Sequence, residues 1–402
     1  MIPTNAILGN LMETVGVDAA QLLSVVDALK NRTVAVIGDI VADEFVYGRV
    51  ARVSREAPVL ILEYDSTQVV PGAGGNAANN VASLGGRAIL AGVVGRDEPG
   101  RRLAAALDKR VDRRRVVRAA THRTPVKTRI LAGGIHSAKQ QIVRIDRAAN
   151  DGVNRATRAL FERQAFEASL KADAVLVSDY GSGLVTPAFV AALRRRTRQS
   201  GGPTAILVDS RYRVLDYRNL TACTPNESEV EHALGIRIND DAGVLERAGR
   251  ELLERTRMKA VLITRGSRGM ALFVPRRPTV HIPIFGSDEI ADVTGAGDTV
   301  MATMTLALGA GASFEAAARL ANYAGGIVVM KRGTATVSAE EIRRAVRSDP
   351  RWMTGSGTPG RKPPMDDDSR SSQASAGAML GVDSHGARAS VRAVPRTRRV
   401  RG

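Results

Sequence analysis

Five short runs of Val, Ile, Leu and Ala punctuate the chain: "TVAVIGDI" from Thr33, "AILAGVVG" from Ala88, "AVLVSD" from Ala174, "TAILVDS" from Thr204 and "AVLITRG" from Ala260. Stretches with helical apolar spacing lie between most of them. Near-continuous apolar runs suit strands covered on both faces, and a helix between two strands returns the chain to the same end of the sheet. The pattern therefore predicts an α/β fold, a mostly parallel central sheet with right-handed crossovers and helices on both faces. Two further segments behave differently. "VLILEYD" near 59–65, and "VKTRILA" followed by "QQIVRIDR" after the spacer "GGIHSAK", read as antiparallel strands with one wet face, hence a small separate sheet, a lid spanning about 45–65 and 125–147.

With 402 residues, 44% of them hydrophobic, the chain can fill one large α/β domain or two smaller ones. It holds no apolar run of about eighteen residues. Its opening "MIPTNAILGNLMETVGVDAAQLLSVVDALK" lacks a basic stretch followed by an apolar one and a cleavage site, so a soluble, cytoplasmic protein without a membrane partner is expected. Cys223 is the single cysteine, which excludes an intramolecular disulfide and a cysteine-built metal site. A net charge of +17 invites a nucleic-acid partner. Much of that charge, however, lies in the helical-looking "RRLAAALDKRVDRRRVVRA" and in the last fifty or so residues, and aromatics are only 3% of the chain, too few for base-stacking platforms, so such a partner is not expected. Residues 1–30 read as a helical extension, 31–349 as the body, and 350–402, rich in Gly, Pro, Ser and charge, as a disordered basic tail.

The segment "DVTGAGDTV", Asp292 to Val300, carries the chemistry. A glycine-lined turn entering a helix presents unpaired N–H groups and the positive end of the helix dipole, a ready anion site. Asp298 then stands in the first helical turn beside that site. A carboxylate next to a phosphate pocket is unfavourable unless it takes a proton from an attacking hydroxyl, which is what phosphoryl transfer requires. A plain helix cap is the alternative that the local sequence leaves open.

The same segment resembles the C-terminal signature of the PfkB, or ribokinase-like, family of sugar kinases. "PGAGGNAANNVASLGG" resembles that family's N-terminal glycine-asparagine signature, "TPNESEVE" its Asn-x-x-Glu motif and "ITRGSRGMALF" its nucleotide-side strand and loop, all in the family's order between about 33 and 345. The resemblance implies three α/β/α layers with a small β lid over the sugar. It also implies ATP and Mg²⁺ as cofactors, with a monovalent cation left open, and a homodimer formed through the lid. "VIGDIVADEFVYGRVARVSREAPVLILE" and "VLVSDYGSGL" are similar to the branch acting on D-glycero-β-D-manno-heptose 7-phosphate, the kinase half of a bifunctional ADP-heptose synthase. That branch uses ATP to phosphorylate the anomeric hydroxyl.

By this resemblance Asp298 is the catalytic base and the backbone of Gly295, Ala296 and Gly297 the anion hole. Asn226, Glu227, Ser228 and Glu229 belong to the ATP side, with Asn226 and Glu229 organising Mg²⁺ through water; an ordinary helix start explains them equally from local sequence. Thr264, Gly266 and Gly269 border the nucleotide, unless they form a simple strand-turn-strand, and Asn322 stands near the adenine. For the sugar, Asp39 ends the first strand, where open α/β sheets place ligands, and a carboxylate there can accept hydrogen bonds from two sugar hydroxyls. Asn76 and Asn80 share a helical face, and Asp43 either helps or caps a helix. Lys127 and Arg129 alternate on one strand and, with Arg144, meet a sugar phosphate at the lid, or else are a solvated basic strand.

Three positions depart from the heptose branch: Ala73 stands where it usually has glycine, Ser182 where it often has lysine, and Asp209-Ser210-Arg211 replaces Asp-Pro-Lys. The His-x-Gly-His element of the nucleotidyltransferase half does not occur in the chain. Finally, Gly72 to Ala77 satisfies Gly-x-Gly-x-x-Ala with Asp97 beyond it, so an NAD-dependent enzyme is the rival class; it leaves "DVTGAGD" and "NESE" unexplained.

Overall fold

A computed structural model describes residues 16–133, 139–148, 152–203, 205–286 and 292–353. In chain order the strands are β1 (Thr33–Gly38), β2 (Ile40–Val53), β3 (Leu60–Ala73), β4 (Arg87–Gly95), β5 (Val111–Ala119), β6 (Val126–Gly133), β7 (Gln140–Arg147), β8 (Ala174–Asp179), β9 (Ala205–Ser210), β10 (Ala222–Cys223), β11 (Ala260–Thr264), β12 (Met270–Phe273) and β13 (Val280–Ile282). The helices are α1 (Ala19–Ala28), α2 (Gly74–Ser83), α3 (Glu98–Ala106), α4 (Arg155–Ser169), α5 (Pro187–Gln199), α6 (Glu227–Leu234), α7 (Ala242–Thr256), α8 (Ala296–Gly309), α9 (Phe314–Val329), α10 (Ala339–Ser348) and α11 (Pro350–Met353).

Nine strands form the main sheet in the order β13-β12-β11-β10-β9-β8-β1-β4-β5. Pairings from β11 to β5 are parallel, and only β12 runs against its neighbours. The pleat explains why these runs are apolar throughout. Val34 and Val36 of β1 face a core shared with α1, α2, α8, α9 and α10, while Ala35 and Ile37 face a second core shared with α4, α5, α6 and α7. Leu22, Val26 and Leu29 of the N-terminal segment are buried in the first of these cores. No helix among the described residues is long and apolar enough to cross a membrane.

The stretch over 101–119, helical by its apolar spacing, divides in two: α3 ends at Ala106, and β5 follows as the sheet's edge. Val111, Val117 and Ala119 are buried, whereas Arg113, Arg114 and Arg118 are exposed. Its arginines thus line an edge strand, where charge discourages pairing with another chain.

A second sheet, of order β3-β2-β6-β7, forms the lid. β2 leaves the main sheet directly after Asp39, and β3 returns to the start of α2, so this hairpin covers 40–73 rather than 45–65. The two hairpins are antiparallel as expected, but the central β2–β6 pair is parallel. β7 is exposed along its whole length. Of the expected tail, Pro350–Met353 forms α11; from 354 on it lies outside the described residues.

Candidate active site

The winding of the main sheet reverses at β1, which lies between β4 and β8, and open α/β sheets bind ligands beyond the carboxyl ends of their strands at such a point. Asp39 follows β1, Tyr180 follows β8, and Asp209 is the penultimate residue of β9. α2 packs against α8 to close the crevice.

Gly295 caps α8 with φ 80°, and a Cβ there would stand 2.5 Å from Nδ2 of Asn76. Glycine alone lets the turn pass under that asparagine. The Ala296 amide donates to the Val293 carbonyl at 3.2 Å, and the amides of Gly295, Gly297 and Asp298 have no backbone acceptor among the described residues. A cradle at this helix end would therefore use Gly297 and Asp298 more than Ala296. Asp298 is buried; Asn76 Nδ2 donates to its Oδ2 at 2.9 Å and the Tyr180 hydroxyl to its Oδ1 at 3.0 Å. Burial pushes this carboxyl up to about 7; the Asn76 and Tyr180 donors oppose the shift, Asp43 adds to it and Lys127 opposes it. A carboxylate at that value is matched to proton removal near neutral pH.

On the sugar side, Asn76 also donates to the Gly295 carbonyl at 3.2 Å. Asn80 is fully buried and donates to both the carbonyl and Oδ1 of Asn76 at 3.1 Å, which makes it the support of Asn76. Asp39 accepts from the Tyr180 amide at 2.8 Å, the Ser182 amide at 3.4 Å and the Ser182 hydroxyl. Burial raises its pKa while these donors hold it down. With about four acceptor positions on a carboxylate, Asp39 keeps roughly one for a sugar hydroxyl instead of two.

The lid lays its charges over this crevice. Arg129 Nη1 donates to Asp43 Oδ1 at 2.6 Å, with its guanidinium 5.3 Å from the Phe45 ring centre. Lys127 Nζ lies 4.8 Å from the centre of the Tyr180 ring. Burial lowers the Lys127 pKa, Asp43 and Asp146 raise it, and Arg211 and Arg129 lower it. Arg144 pairs with Asp146 at 2.8 Å. Four cations, Lys127, Arg129, Arg144 and Arg211, thus meet two carboxylates.

A second cleft, of about 320 Å³, runs along the other side of the α8 N-terminus. Asn226, Thr264, Gly266, Gly269, Gly297 and Asn322 line it together with Ala296 and the apolar Ile284, Val300 and Val329. Asn322 Nδ2 donates to the Pro283 carbonyl at 2.9 Å. Asn226 and Glu229 form a capping box at the start of α6: the Glu229 amide donates to Asn226 Oδ1 at 2.9 Å and the Asn226 amide to Glu229 Oε2 at 3.0 Å. Glu227 does not line the cleft; it pairs with Arg265 at 2.8 Å and with Arg268. Ser228 is exposed and stands outside the cleft as well.

Among the described residues no three His, Cys, Asp or Glu side chains are gathered as ready metal ligands. Nevertheless the donors fit a hydrated hard cation. Asp209 makes no side-chain hydrogen bond among the described residues, and burial followed by the carboxylates of Glu229, Asp298 and Asp179 pushes its pKa far up. Divalent charge would relieve that repulsion.

Neither Tyr180 nor Asp209 has a role in the sequence patterns above, although both follow from the rule that places ligands at carboxyl ends of strands. The Gly72–Ala77 run joins a lid strand to α2, not the first main-sheet strand to a helix, which removes the structural basis of a dinucleotide fingerprint.

The chain is 42% identical over 309 residues to the bifunctional protein HldE of Geobacter metallireducens, covering 76% of this chain and 61% of that protein. It is 39% identical over 324 residues to the bifunctional protein HldE of Caulobacter vibrioides, covering 80% and 65%. The chain therefore spans less than two thirds of the length of these relatives. Its fold is shared with Arabidopsis thaliana ribokinase complexed with ribose and ATP (TM-score 0.62, 19% identity, 80% of this chain and all of that one). Phosphofructokinase-2 from Escherichia coli in complex with potassium shares it too (TM-score 0.61, 19% identity, 79% and 98%). Residues 31–342 match the model of the pfkB family carbohydrate kinases, and the chain belongs to that family.

Proposed function

We propose that this carbohydrate kinase transfers the γ-phosphoryl group of ATP to the anomeric hydroxyl of D-glycero-D-manno-heptose 7-phosphate, giving the 1,7-bisphosphate. The observation that carries the substrate reading is the cluster of Lys127, Arg129, Arg144 and Arg211 beside Asp43 and Asp146, across Tyr180 from Asp298. A surplus of positive charge at one end of a crevice whose other end holds a general base suits a sugar bearing a distal phosphate. The relatives named as bifunctional HldE proteins point the same way.

In the proposed mechanism Asp39 and Asn76 hold sugar hydroxyls, and Asp298 takes the proton of the attacking hydroxyl. That oxygen bonds to the γ-phosphorus as the bond from phosphorus to the β–γ bridging oxygen breaks, and ADP leaves. The amides at the start of α8 bind the charge developing on the moving group. Glu229 and Asp209 would hold Mg²⁺ through water, and the ion would supply charge neutralisation at the ATP phosphates. The cleft lined by Thr264, Gly266, Gly269 and Asn322 receives the nucleotide. Exposed Ile142, Val143 and Ile145 on β7 support a homodimer through the lid, and ATP as substrate supports a cytoplasmic site of action.

A different sugar phosphate is the second reading. It is favoured by Ser182, whose hydroxyl is spent on Asp39 at a position where the heptose branch often carries lysine. An ATP-consumption screen tests both, using heptose 7-phosphate, unphosphorylated heptose, fructose 6-phosphate and ribose. Heptose 7-phosphate should exceed unphosphorylated heptose in kcat/KM by at least about a hundredfold, the scale of a lost charged contact. Equal use of the two heptoses would overturn the phosphate site, and preference for fructose 6-phosphate would select the second reading.

A further inference from the structure

Tyr180 joins the three parts of the crevice. Its amide donates to Asp39 at 2.8 Å, its hydroxyl donates to Asp298 at 3.0 Å, and its ring lies under Lys127 Nζ at 4.8 Å. The backbone behind it is pinned. Gly181, at φ 84°, donates to Asp179 Oδ1 at 3.1 Å, and a Cβ on it would come within 2.9 Å of the Tyr212 ring. The ring therefore has little freedom to leave the base.

We propose that Tyr180 is a positioning residue for phosphoryl transfer, holding the Asp298 carboxylate in the plane from which it takes the sugar proton and linking it to the lid cation Lys127. The inference rests on the kinase reading above. Two donors fix that plane, Asn76 on Oδ2 and Tyr180 on Oδ1, and each oxygen retains a lone pair for the incoming hydroxyl. Burial and the carboxylates of Asp298 and Asp209 keep the phenol protonated, so towards Asp298 it acts as a donor. A donor to a carboxylate favours its charged form. The tyrosine therefore does two things at once: it aims the base and keeps it ionised at lower pH than burial would allow. A sugar phosphate that draws Lys127 off the ring face changes the field on the same phenol.

The test is Tyr180→Phe, which keeps the ring and the amide and removes only the hydroxyl. The other charged groups that face Asp298, namely Asp43 and Lys127 from the lid and Asp209 from β9, remain. Expected are a fall in kcat of about tenfold or more at pH 7, KM values for sugar and ATP within about twofold, and an acid limb of the kcat profile moved to higher pH. An unchanged acid limb, or a loss confined to KM, would overturn the proposal. The ionisation of Asp298 can also be followed without any substrate, by carbon-13 carboxyl resonances of the ligand-free protein. Its midpoint should rise in the variant, and an unmoved midpoint overturns the proposal even if the sugar assignment holds. Conversely, a midpoint that rises in a chain that phosphorylates no sugar refutes the kinase reading alone. Should the variant not fold, 3-fluorotyrosine placed at 180 keeps the shape and strengthens the donor. The midpoint should then fall, and a fixed midpoint again refutes the role.

Discussion

Replacing Asp298→Asn should lower activity and, above neutral pH, raise stability. The carboxyl is displaced from an ordinary 3.8 to about 7, chiefly by burial. Because the folded chain holds this proton more tightly than the unfolded chain, the protonated group's stabilising contribution is full below pH 3.8. It is lost as pH rises through the folded value. An interval of about three pH units at about 1.4 kcal/mol each makes the ionised carboxylate a liability of about 4 kcal/mol above pH 7. Asparagine removes the titration while preserving both contacts: Asn76 can donate to the new amide oxygen, and the Tyr180 hydroxyl can turn and accept from the new amide nitrogen. The folded value of about 7 already contains the charge-assisted part of the Asn76 and Tyr180 hydrogen bonds, so the titration alone sets how the difference varies with pH. The stability difference, variant minus native, should therefore grow by about 2–3 kcal/mol between pH 5 and pH 8. Urea unfolding of both proteins across that range, without ligands, measures it. A difference that is flat, or that grows towards acid, would refute the assignment of a buried, proton-hungry carboxylate. In the same variant turnover should fall at least about a hundredfold while ATP binding persists.

Ala73→Gly should stabilise the protein. Ala73 sits at φ 52°, ψ −131°, a region that glycine enters freely and other residues enter at a cost of about 1–3 kcal/mol. Allowing for glycine's freer unfolded chain, a gain of about 1 kcal/mol in urea unfolding is expected, and destabilisation would count against strain at this turn. Gly295→Ala should reduce kcat by about a hundredfold or more in a steady-state assay, because the new Cβ falls 2.5 Å from Asn76 Nδ2 and displaces the asparagine from Asp298. Trp352, the chain's single tryptophan, donates to the Tyr323 hydroxyl at 2.7 Å, and the Tyr323 ring packs 4.7 Å from that of Phe285, next to Ile284 in the cleft proposed for the nucleotide. Its fluorescence should change when ATP is added without sugar, and Trp352→Ala should raise the KM for ATP and leave that for sugar unchanged.

What the sequence made legible was whatever depends on neighbours along the chain. Apolar runs separated by helical spacing gave the parallel sheet, since burial on both faces leaves a strand no polar side. The Asn226–Glu229 spacing supports a capping box, and that box forms. Gly295 before an apolar helix marked the turn under Asn76. β5 was misread because "VDRRRVVRA" carries valines and arginines that satisfy helical spacing as well as an edge strand's alternation, and only the position beside β4 decides between them. The lid's central parallel pairing is a matter of which hairpin lies beside which, and nothing within either hairpin encodes it.

Side-chain roles were harder to read for a different reason: hydrogen-bonding capacity is shared out in three dimensions. Asp39 reads as a carboxylate with two free oxygens until Tyr180 and Ser182 arrive from β8, 141 and 143 residues away in sequence. Glu227 reads as one of four acidic or polar groups on the ATP side until Arg265 and Arg268 claim it from the turn after β11. In both cases a residue type was assigned to a ligand before the protein's own donors had been counted. The same count supports the role proposed for Asp298. Its two donors, from Asn76 and Tyr180, leave each oxygen a lone pair, and burial keeps water from competing for it. Asp179, equally buried, accepts from the Gly181 amide and from the hydroxyls of Ser210 and Tyr217, so roughly one acceptor position is left to it against two on Asp298. Of Asp179 and Asp298, the one with more unspent acceptors, beside an open helix N-terminus, is the one placed to do chemistry.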